Sequence, residues 1–220
     1  MRTGYKLTLS DKTTYKRTQW GENITHSAEK GKMEFCSWTA IHFYEDPLVA
    51  VFCNPIHGNF KKPLLWEGIA YGYCKSDGVK SVCKRFTTVK QIPLPIITTE
   101  QRIKIAIRCA MAVYDEPNWV KWAENWLSGM DRTSPQAARA ARGAEAAAWA
   151  AESARAAAWA TAWAAQAAEA ATRAAAWAAA WAAQAAEAAA RAAQYTTEAA
   201  RAGGTMAFSL LQIIKEVISE

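Results

Sequence analysis

The chain has 220 residues and a net charge of +6, which allows one compact domain plus an extension. All of the excess charge lies in residues 1–134, with 19 Lys and Arg against 13 Asp and Glu, while residues 135–220 carry seven of each. No basic cluster exceeds two adjacent residues and polar residues interrupt the Ala tract before the ~20 apolar residues of a membrane span, so nucleic acid is disfavoured and a membrane helix excluded.

Residues 1–97 read as an α+β head domain with a small mixed sheet. Tyr5-Lys6-Leu7-Thr8-Leu9 alternates with strand period, and Lys32 to Trp38, Leu48 to Cys53, Leu65 to Tyr73 and Ser81 to Val89 are further β-rich runs. Asn54-Pro55 and Ser76-Asp77-Gly78 punctuate them. Ala40 to Tyr44 reads as a short helical stretch leading into Glu45-Asp46-Pro47, and the domain closes near Ile92-Pro93-Leu94-Pro95.

Residues 98–133 form a helical linker region. Thr98 with Gln101 three positions on has the pattern of a capping box, and Ile103, Ile105, Ile107, Ala110 and Val113 supply an apolar face up to Tyr114. Glu116-Pro117 starts a second helix, in which Trp119, Trp122 and Trp126 share one face before Gly129 stops it. That face is core-sized and is predicted to be buried.

Ser134-Pro135 pairs an N-cap with Pro at the first helical position. Of the 68 residues 135–202, 40 are Ala, the best helix former, which predicts one long helix over 134–203 that Gly203-Gly204 ends. The segment 204–220 carries Leu210, Ile213, Ile214, Val217 and Ile218 at helical spacing, which predicts a short amphipathic helix that packs back.

Within the long segment, residues 155–172 and 173–190 repeat one 18-residue unit, differing only at Thr161/Ala179 and Thr172/Ala190. Eighteen residues make five helical turns, so Arg155, Trp159, Trp163, Gln166 and Glu169, then Arg173, Trp177, Trp181, Gln184 and Glu187, form one stripe. This stripe is a candidate ligand-binding or assembly surface. Helices could join through their Ala faces with the stripe turned outward. The stripe could instead be the seam of a bundle, or could dock on the chain's own globular part. A lone helix of this length would leave its Ala surface uncovered, so self-association into a homo-oligomer is the expectation.

Chemistry is sparse. Cys36, Cys53, Cys74, Cys83 and Cys109 form no Cys-x-x-Cys pair, and no signal peptide precedes them, which predicts reduced thiols in a cytosol. Cys36/His42 and Cys53/His57 follow no familiar metal-ligand spacing. No phosphate loop or paired-carboxylate motif is present, so no metal, cofactor or catalytic residue is predicted.

The order Tyr5-Lys6, Gly21, Phe35-Cys36, His42 and Asp46-Pro47 resembles an uncharacterised family of bacteriophage and prophage proteins. Its Cys…Gly-Phe-His motif is degenerate here, reading Cys36-Ser37-Trp38-Thr39-Ala40-Ile41-His42. Further similarities are Glu67-Gly68-Ile69-Ala70-Tyr71-Gly72, Asp77 to Cys83, Thr98-Thr99-Glu100-Gln101 and Trp126 to Arg132. Alanine/tryptophan-rich tails accompany that family. The resemblance implies a phage accessory protein of the host cytosol that self-associates and binds or sequesters a host protein or small-molecule ligand. A role against host defence would follow from it, and a virion structural component is another class to test. A fainter similarity to ADP-ribosyltransferase-like folds implies an enzyme instead. On that similarity Tyr5, Lys6, Trp20 and His42 line a nicotinamide-type cleft, with Glu100 as the stand-in for the catalytic glutamate.

Overall fold

A computed structural model describes residues 1–112, 114–133, 135–140, 162–170, 178–202 and 209–220. The fold is α+β, and the chain divides into two compact units, Met1–Ile96 and Ile97–Glu220. The first corresponds to the expected head. The helical linker, repeat segment and C-terminal helix all fall within the second.

In the first unit the strands are β1 (Arg2–Thr8), β2 (Ile24–Ser27), β3 (Ile41–Phe43), β4 (Leu64–Ser76) and β5 (Ser81–Ile92), with one helix, α1 (Pro47–His57). Every strand pairing is antiparallel, so the sheet is not mixed as expected. The order is β1-β4-β5-β2, and β3 pairs with β5 beyond the end of β2. Just after β3, Tyr44 exchanges two backbone hydrogen bonds with Tyr5 of β1, at 2.7 and 2.8 Å. The route β1-β4-β5-β3 therefore returns to β1, and the sheet curls into a small closed ring.

Glycine makes that curl possible. Gly4 and Gly68 face each other across β1 and β4. A Cβ on Gly4 would meet Phe43 Cδ2 at 2.3 Å, and one on Gly68 would meet the Thr87 carbonyl oxygen at 2.3 Å. The space they leave is filled by Phe43 and Phe86, stacked with ring centres 5.4 Å apart, beside Trp20, Ala70 and Cys83. Close packing of this kind tolerates no added methyl without displacement.

Three sequence expectations in the head are corrected. Leu48 to Cys53, expected as strand, lies in α1: Asp46 caps it by accepting from the Leu48 amide at 2.8 Å, and Pro47 occupies the first turn. Ala40 to Tyr44, expected as helix, contains β3, whose backbone pairs with β5. Lys32 to Trp38, expected as strand, is a run of loop, turn and bend. Lys84 holds this loop region from below, donating to the carbonyls of Glu29, Gly31 and Thr39 at 3.1, 2.7 and 2.8 Å. The β4–β5 hairpin follows the expected turn, with Asp77 Oδ1 accepting from Val79 and Lys80 amides and Gly78 at φ 89°.

In the second unit, α2 (Thr99–Met111) starts with both halves of the expected capping box: Gln101 N–H donates to Thr98 Oγ1, and Thr98 N–H to Gln101 Oε1. The helix α3 (Pro117–Ser128) is capped by Glu116 and ended by Gly129 in the left-handed region, with Trp119, Trp122 and Trp126 buried as expected. Residues 135–140 and 162–170 are helical, followed by α4 (Ala178–Ala202) and α5 (Leu210–Ser219). The last packs on α2 as expected, burying Leu210, Ile214 and Val217, while Arg108 pairs with Glu216 and Glu220.

The single straight rod over 134–203 is also corrected. The Arg191 guanidinium lies 5.0 Å from the ring centre of Trp163. A straight helix would place those residues about 42 Å apart at 1.5 Å per residue. They therefore do not share one rod. In α4 the buried residues Ala185, Ala188, Ala189, Ala192, Ala193 and Thr196 recur at helical spacing. Their small side chains let α4 pack closely against α2. Among the described residues, the Ala face of α4 that argued for self-association is thus covered within the chain itself.

Candidate functional site

The head contains a cavity of about 720 Å³ between the β1–β3 end of the ring, the 14–40 loops and the end of α1. Lys6, Trp20 and His42, far apart in sequence, all line it. Tyr5, the fourth residue expected there, does not line it, whereas its neighbours in β1, Lys6 and Leu7, both do.

Lys6 reaches under the cleft. Its Nζ donates to the His42 carbonyl at 2.9 Å and lies 4.6 Å from the centre of the Trp20 ring. No carboxylate pairs with this ammonium among the described residues. Burial lowers its pKa to about 8, since a desolvated ammonium loses hydration that a carbonyl and a ring face replace only in part. It remains mainly protonated at neutral pH.

His42 feels two ammonium groups, Lys6 and Lys80. Its Nε2 accepts a hydrogen bond from the Cys36 amide at 2.8 Å, and Cys36 Sγ accepts one from Lys80 Nζ at 3.4 Å. Burial first, then the charges of Lys6 and Lys80, bring the His42 pKa down to about 4. The ring is neutral at pH 7, and the accepting Nε2 assigns its proton to Nδ1. Cys36 and His42 are therefore joined through a backbone amide, not as a thiol–imidazole pair.

The second sequence pair, Cys53 and His57, also separates in role. Cys53 is buried, whereas His57 Nδ1 shares a 2.8 Å hydrogen bond with the Tyr44 hydroxyl in the cleft wall. Burial, then Lys80, lowers the His57 pKa to about 4, while burial holds the Tyr44 phenol well above its ordinary range. Both groups stay neutral near pH 7. Among the lining residues, Tyr15 and Trp38 are 77% and 59% exposed.

Sequence reasoning did not select Lys80, Tyr15 or Trp38 as site residues. Lys80 had one usable signal, its position closing the Asp77-Gly78 turn, but nothing local aims it at Cys36. Glu100, the stand-in carboxylate, belongs to α2 and pairs with Arg132 at 3.1 Å. Among the described residues, no group of three His, Cys, Asp or Glu gathers as a metal site.

The stripe divides differently. Arg155, Trp159, Arg173 and Trp177 lie outside the described residues, as do Ser134 and Gly203-Gly204. Trp181 is part of α4. Trp163, Gln166, Glu169 and Glu187 are half-buried, and Gln184 is exposed, while neighbouring Ala residues are buried. Glu187 pairs with Arg191, which also covers Trp163. In 162–170 and in α4 those neighbouring Ala residues are therefore buried more deeply than Trp163, Gln166, Glu169, Gln184 and Glu187.

Comparison of the chain with protein-family models, with curated proteins and with solved structures found no match to any of them.

Proposed function

We propose that this is a non-enzymatic phage accessory protein whose head binds and sequesters a small ligand, countering a host defence in the host cytosol. The observation carrying the ligand part is the convergence of Lys6, Trp20 and His42 on one cavity of about 720 Å³. A ligand-sized cleft with a few convergent polar groups is the usual form of a small-molecule site. The phage part rests on sequence resemblance. Self-association remains part of the proposal, with the stripe as the surface proposed for it.

The experiment is retention of metabolites by the full-length protein. The protein is mixed with a low-molecular-weight filtrate of cells, recovered by ultrafiltration and denatured, and its released compounds are identified by mass spectrometry. The reading expects one compound enriched and chemically unchanged, with enrichment lost in Lys6→Met. Absence of any enriched compound contradicts sequestration, and conversion of the compound contradicts the non-enzymatic reading.

The ADP-ribosyltransferase-like alternative is supported by the same convergence of Lys6, Trp20 and His42. Incubation with labelled NAD and cell extract decides it. Label transfer that disappears in His42→Ala would replace the proposal.

A further inference from the structure

The geometry points to a phosphate ester carrying a flat aromatic ring as the ligand class of the head cleft, with its phosphate held by Lys6, Lys80 and His42. This rests on the ligand-binding reading above and specifies what would occupy that site.

The charge pattern comes first. Lys6 and Lys80 are linked to His42 by separate contacts, one through its carbonyl and the other through Cys36. Each ammonium has three donors. Lys6 uses one on the His42 carbonyl, and Lys80 directs one to the Cys36 sulfur. Neither is paired with a carboxylate among the described residues. The His42 Nδ1–H is that ring's remaining donor, because Nε2 accepts from Cys36.

The opposing charges are Glu29, which also lines the cavity, and Asp77, whose Oδ1 accepts from the Val79 and Lys80 amides in the adjoining turn. Of these carboxylates only Glu29 lines the cavity, so the lining sets two ammonium groups and a neutral imidazole donor against one carboxylate that pairs with neither lysine. A carboxylate presents two coplanar oxygens, whereas a phosphate presents its oxygens tetrahedrally and can be approached from several sides. Donors carried on three separate parts of the fold, Lys6 on β1, His42 on β3 and Lys80 in the β4–β5 turn, suit the second shape.

Size and apolar surface supply the rest. An inorganic anion would fill only a small part of a cavity of about 720 Å³. Tyr15 and Trp38 expose ring surface among the lining residues, and stacking on such rings favours a flat heterocycle. A heterocycle joined to a phosphate satisfies both parts of the cleft at once.

Isothermal titration of the full-length protein with adenosine monophosphate tests this, with adenosine and inorganic phosphate titrated separately. Adenosine monophosphate is expected to bind about tenfold or more tightly than either fragment, since each fragment lacks one set of contacts. Lys80→Met should weaken it about tenfold, the usual scale of one charge-assisted hydrogen bond. Trp38→Ala should weaken it severalfold, with both variants retaining the parent circular dichroism spectrum. Affinity that also falls with added salt agrees with an anion held by lysines.

No saturable heat with adenosine monophosphate overturns the proposal, as does an affinity that Lys80→Met leaves unchanged. Equal affinity for adenosine overturns the phosphate assignment, and equal affinity for inorganic phosphate overturns the aromatic one. If the metabolite-retention experiment enriches a compound lacking phosphate, the ligand class fails while sequestration stands. If neither experiment detects binding, both fail together.

Discussion

Replacing Gly68 with Ala tests whether the closed sheet depends on the space that its paired glycines leave. The new methyl would lie 2.3 Å from the Thr87 carbonyl oxygen and 2.5 Å from Phe86 Cε1. Nonbonded carbon contacts settle at about 3.5–4.0 Å, so the β4–β5 pair must open by about 1 Å. Neither obstacle is a flexible side-chain tip: one is backbone, and the other is a ring in the core cluster. Overpacking costs about 1–3 kcal/mol, and a backbone clash places this variant at about 3. With a urea slope of about 1.5 kcal/mol per molar, the head's unfolding midpoint falls by about 2 M. Gly72→Ala is the informative comparison, because its φ is 76° but nothing lies within 4 Å of the added carbon. That variant should lose only the left-handed backbone penalty, about 1–2 kcal/mol. Amide exchange of β4 and β5 in increasing urea reads the head separately from the helical unit. A Gly68→Ala midpoint within about 0.3 M of the parent would refute the packing argument, as would greater damage from Gly72→Ala.

Acid should destabilise the head through His42 and His57, both neutral in the fold with pKa about 4 against an ordinary value near 6.5. Between those values the unfolded chain binds more protons, so stability is lost as pH falls from about 6.5 to 4, by a few kcal/mol in all. Urea midpoints at pH 7 and pH 4.5 measure it, and a double His42→Gln, His57→Gln variant should flatten the profile. Lys84→Met removes three hydrogen bonds from the 29–39 loop and should raise amide exchange there about tenfold or more while leaving β4 protected. Thr98→Ala should cost about 1 kcal/mol of helical-unit stability by removing the capping box of α2, measured by thermal unfolding. Spin labels at Trp163→Cys and Arg191→Cys should report a separation well under 25 Å, whereas a straight rod requires about 42 Å.

The parts of this fold legible in the sequence are those with local causes. Thr98 with Gln101, Glu116-Pro117 and Gly129 mark helix ends through contacts within a few residues, and each performs that role. The Asp77-Gly78 turn is equally local. Leu48 to Cys53 misled because Leu-Val-Ala-Val-Phe is a β-favouring run, and the Asp46-Pro47 start signal beside it carried more information. Ala40 to Tyr44 has no local determinant of strand; Phe43 is fixed there by β5 and by the space at Gly4. The Ala segment is harder still. Alanine favours helix throughout, but helix propensity does not encode how separate helical segments meet.

The site was legible to the same extent. Lys6, Trp20 and His42 were reached through a resemblance, and their convergence depends on the sheet closing between Tyr5 and Tyr44. Lys80, Tyr15 and Trp38 enter the cleft from three separate loops and turns, whose approach no short sequence pattern specifies.

The claim that the head cleft is the binding site is tested most directly by following tryptophan indole resonances of the full-length protein during titration with adenosine monophosphate. The account predicts saturable shifts at Trp20 and Trp38, with Trp119, Trp122 and Trp126 of α3 unmoved. Unchanged Trp20 and Trp38 resonances at saturating nucleotide, or shifts confined to the α3 indoles, would contradict it.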